Sequence, residues 1–193
     1  MRKIDQPNII KLYEVIDDPV ADKLYLVMPV ADYGECLSWS DEKNHFTPNH
    51  KLLSKNNTKV MKQASHDTEF YSEDFIKRTA RSLISALRYL HEDLNIVHRD
   101  IKPPNILMDE TGSPLLVDFG KARQLRNQEE DLTTSIQGTY TFLPPECCSF
   151  ETDIYSMKKA DIWALGMTLY CMTFNKFPFP LGNTEVQLME NIC

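Results

Sequence analysis

Residues 98–105 read His98-Arg99-Asp100-Ile101-Lys102-Pro103-Pro104-Asn105, and Asp118-Phe119-Gly120 follows directly on a short apolar run. No other feature limits the possible folds of this chain as much. Short β-like pieces at Ile96-Val97, residues 106–108 and residues 115–117 are divided by Pro103-Pro104 and by the turn chemistry of Asp109-Glu110-Thr111-Gly112. The charged residues are thereby set on loops at strand ends.

Transfer of a phosphoryl group needs an acceptor for a hydroxyl proton, oxygen ligands for Mg²⁺ and a cation near the transferred charge. Asp100, then Asn105 with Asp118, then Lys102 can supply those three roles. Each triplet alone occurs by chance, and a lone aspartate before a helix is usually a cap. Here they stand in order with two further motifs, Gly138-Thr139-Tyr140-Thr141-Phe142-Leu143-Pro144-Pro145-Glu146 and Asp161-Ile162-Trp163-Ala164-Leu165-Gly166.

The order matches the catalytic loop and metal loop of protein kinases, and the chain resembles a eukaryotic protein kinase. The resemblance implies an α+β fold: mainly the helical large lobe, residues 31–193, with a remnant of the small-lobe antiparallel sheet and hinge at residues 1–30. It makes Asp100 the base that orients a substrate hydroxyl, Asn105 and Asp118 the Mg²⁺ ligands, and ATP the phosphoryl donor. Lys102 is the lysine typical of serine/threonine kinases. Residues 138–146 resemble the substrate-docking loop that ends in Ala-Pro-Glu, with Pro144 in place of Ala, and Thr139 is implied to bond near Asp100 and Lys102. Asp161 is implied to bind catalytic-loop amides. Upstream, Met28 matches the gatekeeper, Pro29 and Ala31 the hinge groups that hold adenine, Glu35 a ribose contact and Leu107 the floor under the ring.

Residues 9–19 and 24–28 look most like the calcium/calmodulin-dependent protein kinase kinase branch, whose related upstream kinases activate the AMP-activated kinase family. The implied substrate is a serine or threonine in another kinase's activation loop. Calmodulin binding is not assessable, because the segment that carries it in that branch follows the kinase domain. Gly34 is the only glycine before Gly112, so no phosphate-covering Gly-rich loop is encoded here, nor a strand lysine in its usual context. The resemblance thus covers almost the whole chain but only part of a kinase. The arginine that pairs with the Ala-Pro-Glu glutamate is also expected to be missing, leaving Glu146 unpartnered; removing one partner of a buried pair costs about 3–5 kcal/mol. Two functions follow: phosphorylation of protein serine or threonine, or a catalytically silent truncated kinase acting as a scaffold or decoy. A third is a nucleotide-binding module without transfer activity.

Composition narrows the partners. With 42% hydrophobic and 25% charged residues among 193 the chain is of globular type, and its net charge of −7 gives no basic field for nucleic acid or an anionic membrane. The apolar run at residues 162–174 is shorter than the ~20 residues that span a bilayer and is expected to be a buried helix. Five cysteines form no C-x-x-C pair, which fits a reducing, cytoplasmic setting. Ser72 is expected to cap a helix with Ile76, Ala80, Leu83, Ile84, Leu87 and Leu90 on its apolar face and Arg78, Arg81, Ser85 and Arg88 on its wet side. Residues 9–16 and 24–28 are expected to pair as a hairpin. Residues 38–70 are expected to be a polar insertion without regular structure, in which His45, His50 and His66 lack metal-ligand spacing. Residues 121–152 are expected to be long and irregular. Within them Thr133, Thr134 and Ser135 are candidate phosphosites that Arg99 could pair with.

Overall fold

A computed structural model of the chain describes residues 4–55, 69–127, 129–148 and 154–193. Among the described residues five small antiparallel sheets accompany two long helices, an α+β arrangement. In chain order the strands are β1 (Glu14–Asp18), β2 (Lys23–Val27), β3 (Gly34–Glu35), β4 (Leu37–Ser40), β5 (His45–Pro48), β6 (Ile96–Val97), β7 (Ile106–Met108), β8 (Pro114–Leu116), β9 (Arg123–Gln124), β10 (Leu132–Thr133) and β11 (Tyr155–Ser156). The helices are α1 (His50–Lys55), α2 (Glu73–Arg88), α3 (Pro145–Cys148), α4 (Met157–Phe174) and α5 (Glu185–Ile192).

Serine caps open both long helices. Ser72 Oγ accepts from Phe75 N–H at 3.3 Å and Ser156 Oγ from Lys159 N–H at 3.2 Å, each satisfying an orphan donor of the first turn. The four wet residues expected on α2 are exposed, but its apolar face is turned from the expected one. Leu83 and Leu87 are buried while Ile84 is 54% exposed, and Phe75, Thr79 and Ala86 fill the interior positions. Ile84 lies one residue, about 100°, from the buried Leu83, on the exposed side of the helix. A single π-helical turn, Tyr89–Asp93, then carries Leu90 and His91 inward. On α4 the expected burial holds for Ala164, Leu165, Met167, Cys171 and Met172, whereas Ile162 and Phe174 are exposed. Asn175, left-handed at φ 55°, ends the helix.

The part of the expected unstructured insertion that is described, residues 38–55, carries regular structure. β4 and β5 form a hairpin with Trp39 opposite Phe46, and α1 follows. Trp39, Phe46 and Phe177 pack with ring centroids 4.8–5.2 Å apart. Phe177 comes from beyond α4, so the partner that orders this hairpin is invisible in the local pattern. His66 and the rest of residues 56–68 lie outside the described residues. His45 Nδ1 is 2.9 Å from the Phe46 carbonyl and His50 is 3.0 Å from Glu69, and among the described residues no cluster of three metal-ligating side chains occurs.

The expected hairpin is real but shorter. β1 pairs with β2 from Glu14–Val27 to Asp18–Lys23, while Ile9 and Ile10 are buried against β8, where Ile10 N–H donates to the Leu116 carbonyl at 3.0 Å. β8 starts at Pro114, one residue earlier than expected, because the first position of a strand tolerates a residue with no N–H. Residues 121–148 are also more ordered than expected: β9 pairs with β6, β10 with β11, and α3 sits against α5. Among the described residues no helix is long and apolar enough to cross a membrane.

Candidate active site

Asp161, in the second turn of α4 and 1% exposed, organises the loop after β6. Its Oδ2 accepts from the His98 N–H and from His91 Nε2, and its Oδ1 from the Arg99 N–H, all at 2.8 Å. Three donors on a buried carboxylate offset its desolvation. They also hold Arg99 in the left-handed region at φ 65°, a conformation that residues with a Cβ rarely adopt. The His98 ring donates from Nε2 to the Val117 carbonyl at 3.0 Å and accepts at Nδ1 from the Asp100 N–H at 3.3 Å. Burial depresses its pKa, against the opposing pull of Asp161 and Asp100. Its ring meets Phe119 edge to face at 4.9 Å, so the loop after β6 and the loop after β8 are locked together.

Asp100 is buried, with both carboxylate oxygens engaged. Oδ1 accepts from Thr139 Oγ1 at 2.8 Å and lies 3.4 Å from Lys121 Nζ; Oδ2 lies 3.1 Å from Lys102 Nζ and 3.3 Å from Asn105 Nδ2. Lys102 Nζ also donates to Thr139 Oγ1 at 2.8 Å, closing a triangle of carboxylate, ammonium and hydroxyl. Burial opposes ionisation of Asp100, but the hydrogen bonds of Thr139 and Lys102 and the charges of both lysines outweigh it and hold the carboxyl below its ordinary value. A carboxylate so held is ionised at neutral pH and can accept a hydrogen bond from an incoming hydroxyl.

Asn105 Nδ2 donates to the Asp100 carbonyl at 2.7 Å, and its Oδ1 accepts no hydrogen bond among the described residues. Asp118 is exposed and left-handed at φ 60°, its Oδ1 accepting only from the Gly120 N–H at 3.2 Å among the described residues. An amide oxygen and a carboxylate are hard donors of the kind Mg²⁺ takes. Beside them a cavity of about 460 Å³ is lined by Ile10, Leu26, Met28, Pro29, Leu107, Val117 and the residues 118–120.

The structure thus brings Asp100, Lys102, Asn105 and Thr139 together, and Met28, Pro29, Leu107 and Asp118 around one apolar cavity. Ala31 and Glu35 do not line it: the Ala31 carbonyl accepts from the Gly34 N–H at 3.0 Å, and Glu35 pairs with Leu107 across β3 and β7 with an exposed side chain. The expected lack of a partner for Glu146 is overturned, since it is half-buried and engaged by a neighbour. Thr134 and Ser135 are exposed, and Thr133 lies on β10 with its Oγ1 accepting from the Ser135 N–H. Lys121, Ile10, Leu26 and Val117 are additions that sequence reasoning missed. A cation directly after Asp118-Phe119-Gly120 was the available signal for the first.

The whole chain, residues 1–193, matches the protein kinase domain family. It is similar to serine/threonine-protein kinase GRIK1 of Arabidopsis thaliana, 34% identical over all of this chain and 41% of that protein. A probable serine/threonine-protein kinase of Dictyostelium discoideum is 32% identical over 93% of the chain and 21% of its own length. Serine/threonine-protein kinase TOS3 of Saccharomyces cerevisiae is 30% identical over all of the chain and 32% of its own length. The chain therefore spans between a fifth and two fifths of these relatives. With a lysine-bridged aspartate, an asparagine and a second aspartate gathered beside an apolar cavity, and a family match from end to end, the chain belongs to the protein kinases.

Proposed function

We propose that the protein transfers the terminal phosphoryl group of ATP to a serine or threonine of a protein substrate. The observation that carries this reading is the closed triangle of Asp100, Lys102 and Thr139, with Asn105 on the same carboxylate. Asp100 orients the acceptor hydroxyl and takes its proton, and Lys102 holds positive charge beside the transferred group. Thr139 keeps the substrate loop on both. Asn105 Oδ1 and the Asp118 carboxylate would hold Mg²⁺, which when bound would neutralise charge on the ATP phosphates. Adenine fits the apolar cavity, with Met28 as gatekeeper, Leu107 beneath the ring and the Pro29 carbonyl at its hydrogen-bonding edge.

The substrate we propose is the activation loop of another kinase, on the resemblance of residues 9–19 and 24–28 to the calcium/calmodulin-dependent protein kinase kinase branch. Thr133, Thr134 and Ser135 are proposed phosphosites. In support, Tyr155 Oη donates to the Ser135 carbonyl at 2.8 Å, and Arg99, whose charge is disfavoured by partial burial, has a second cation, Arg123, close enough to disfavour it further. Five free thiols agree with a cytoplasmic setting.

The test is phosphate transfer from labelled ATP and Mg²⁺ to dephosphorylated myelin basic protein by the complete natural protein, against Asp100→Asn. Transfer that falls at least 100-fold in the variant supports the reading. Equal transfer, or none by folded wild type, refutes it; the second result leaves the scaffold reading.

A further inference from the structure

Lys121 is gripped from both ends. Its carbonyl accepts from Arg99 Nε at 2.5 Å, and its ammonium lies 3.4 Å from Asp100 Oδ1 and donates to the Gly138 carbonyl at 3.3 Å. Lys102 makes the matching contacts on the other carboxylate oxygen and on Thr139. Each oxygen of Asp100 therefore carries one ammonium, and each ammonium reaches one of two consecutive residues of the substrate loop. The two differ in origin. Lys102 stands on the same loop as Asp100, whereas Lys121 arrives on the segment that carries Asp118 and Phe119.

Gly138 is what makes the second bridge reachable. At φ 131° an added Cβ would stand 3.0 Å from the Arg99 carbonyl oxygen and 3.4 Å from Leu143 Cδ2, so only bare backbone fits against the catalytic loop there. The carbonyl that this close approach brings down is the one Lys121 holds. Because Arg99 holds the Lys121 backbone and Lys121 holds the Asp100 side chain, the two loops are cross-linked in both directions.

We infer that Lys121 is a positioning residue for phosphoryl transfer: it ties the segment following Asp118 to the carboxylate of Asp100 and to the substrate loop at Gly138. The inference rests on the kinase reading above. Lys121 acts through Asp100 and Gly138 and is absent from the cavity that takes ATP. Its loss is therefore felt in turnover rather than in nucleotide binding.

The complete natural protein, its Lys121→Met and its Lys121→Arg variants are compared for transfer from ATP to myelin basic protein, with melting temperatures measured alongside. Expected is a kcat about tenfold lower for K121M, a KM for ATP within about twofold of wild type, and recovery of most of kcat in K121R, whose guanidinium can span the same two oxygens. Lys121 is 39% exposed, so the methionine variant is expected to fold. Undiminished kcat in K121M, a loss carried by the KM for ATP, or K121R as slow as K121M overturns the inference while the kinase reading stands. Folded wild type without transfer overturns both.

Discussion

Replacing Asp161 with asparagine keeps the volume and removes one acceptor oxygen. The carboxylate takes three donors: His98 N–H and His91 Nε2 on one oxygen, Arg99 N–H on the other. In the better of its two orientations the asparagine keeps the first pair as neutral hydrogen bonds and points its amide nitrogen at the Arg99 N–H. A buried donor left facing a donor costs about 1–3 kcal/mol, and turning two charge-assisted bonds into neutral ones costs about 1 kcal/mol each. The sum is about 3–5 kcal/mol. At roughly 2–4 °C per kcal/mol for a chain of this size, the melting temperature of D161N should fall by roughly 6–20 °C. The loss is directional as well, because Arg99 at φ 65° rests in a backbone conformation roughly 1–2 kcal/mol above the right-handed one, and two of the three bonds hold it there. Freed, it relaxes and carries Asp100 away from Thr139 and Lys102. Thermal unfolding followed by circular dichroism reads the first effect, and kcat measured well below the melting point reads the second. A fall in melting temperature under about 2 °C would refute the accounting for this carboxylate.

Thr139→Val removes the hydroxyl that joins Lys102 to Asp100 and is expected to lower kcat about tenfold, with Thr139→Ser retaining most of it; steady-state transfer assays decide. Phe46→Ala deletes a buried ring packed on Trp39 and Phe177 and is expected to destabilise the chain by about 3–5 kcal/mol in urea unfolding, whereas an unstructured insertion would lose nothing. Burial pushes the Cys36 and Cys171 thiols up to about 12, so at pH 8 they are protonated and unreactive. Iodoacetamide labelling of the native chain read by mass spectrometry should find Cys193 modified and those two untouched.

How legible this protein was in its sequence depends on where the partner of each residue lies. The capped helix at Glu73–Arg88 was readable because Ser72 and its acidic first turn are local signals, and so were the strands around Asp100 and Asp118, bounded by proline and glycine punctuation. The β4–β5 hairpin was not, since Ser38 and Ser40 dilute its pattern and the ring that holds it, Phe177, lies more than 130 residues on. The helix face was missed for the same reason: the covered side of α2 is set by elements distant in sequence, α4 and β8, and Ile84 falls outside it.

The sequence by itself determined which residue types the candidate site holds, because an aspartate, a lysine, an asparagine and a second aspartate at that spacing on strand ends are one-dimensional facts. It also determined the α+β class. The resemblance already implied that Thr139 and Asp161 approach this loop; only the tertiary structure decided which atoms meet and brought Lys121 onto the carboxylate of Asp100. Thr139 and Lys121 reach it across 39 and 21 residues, and Asp161 holds the Arg99 N–H of the loop from 62 residues away. The physical reason is that a buried charge must find its donors wherever packing has brought them, and packing here is fixed by α2, α4 and the rings of His98 and Phe119 rather than by neighbours in the chain.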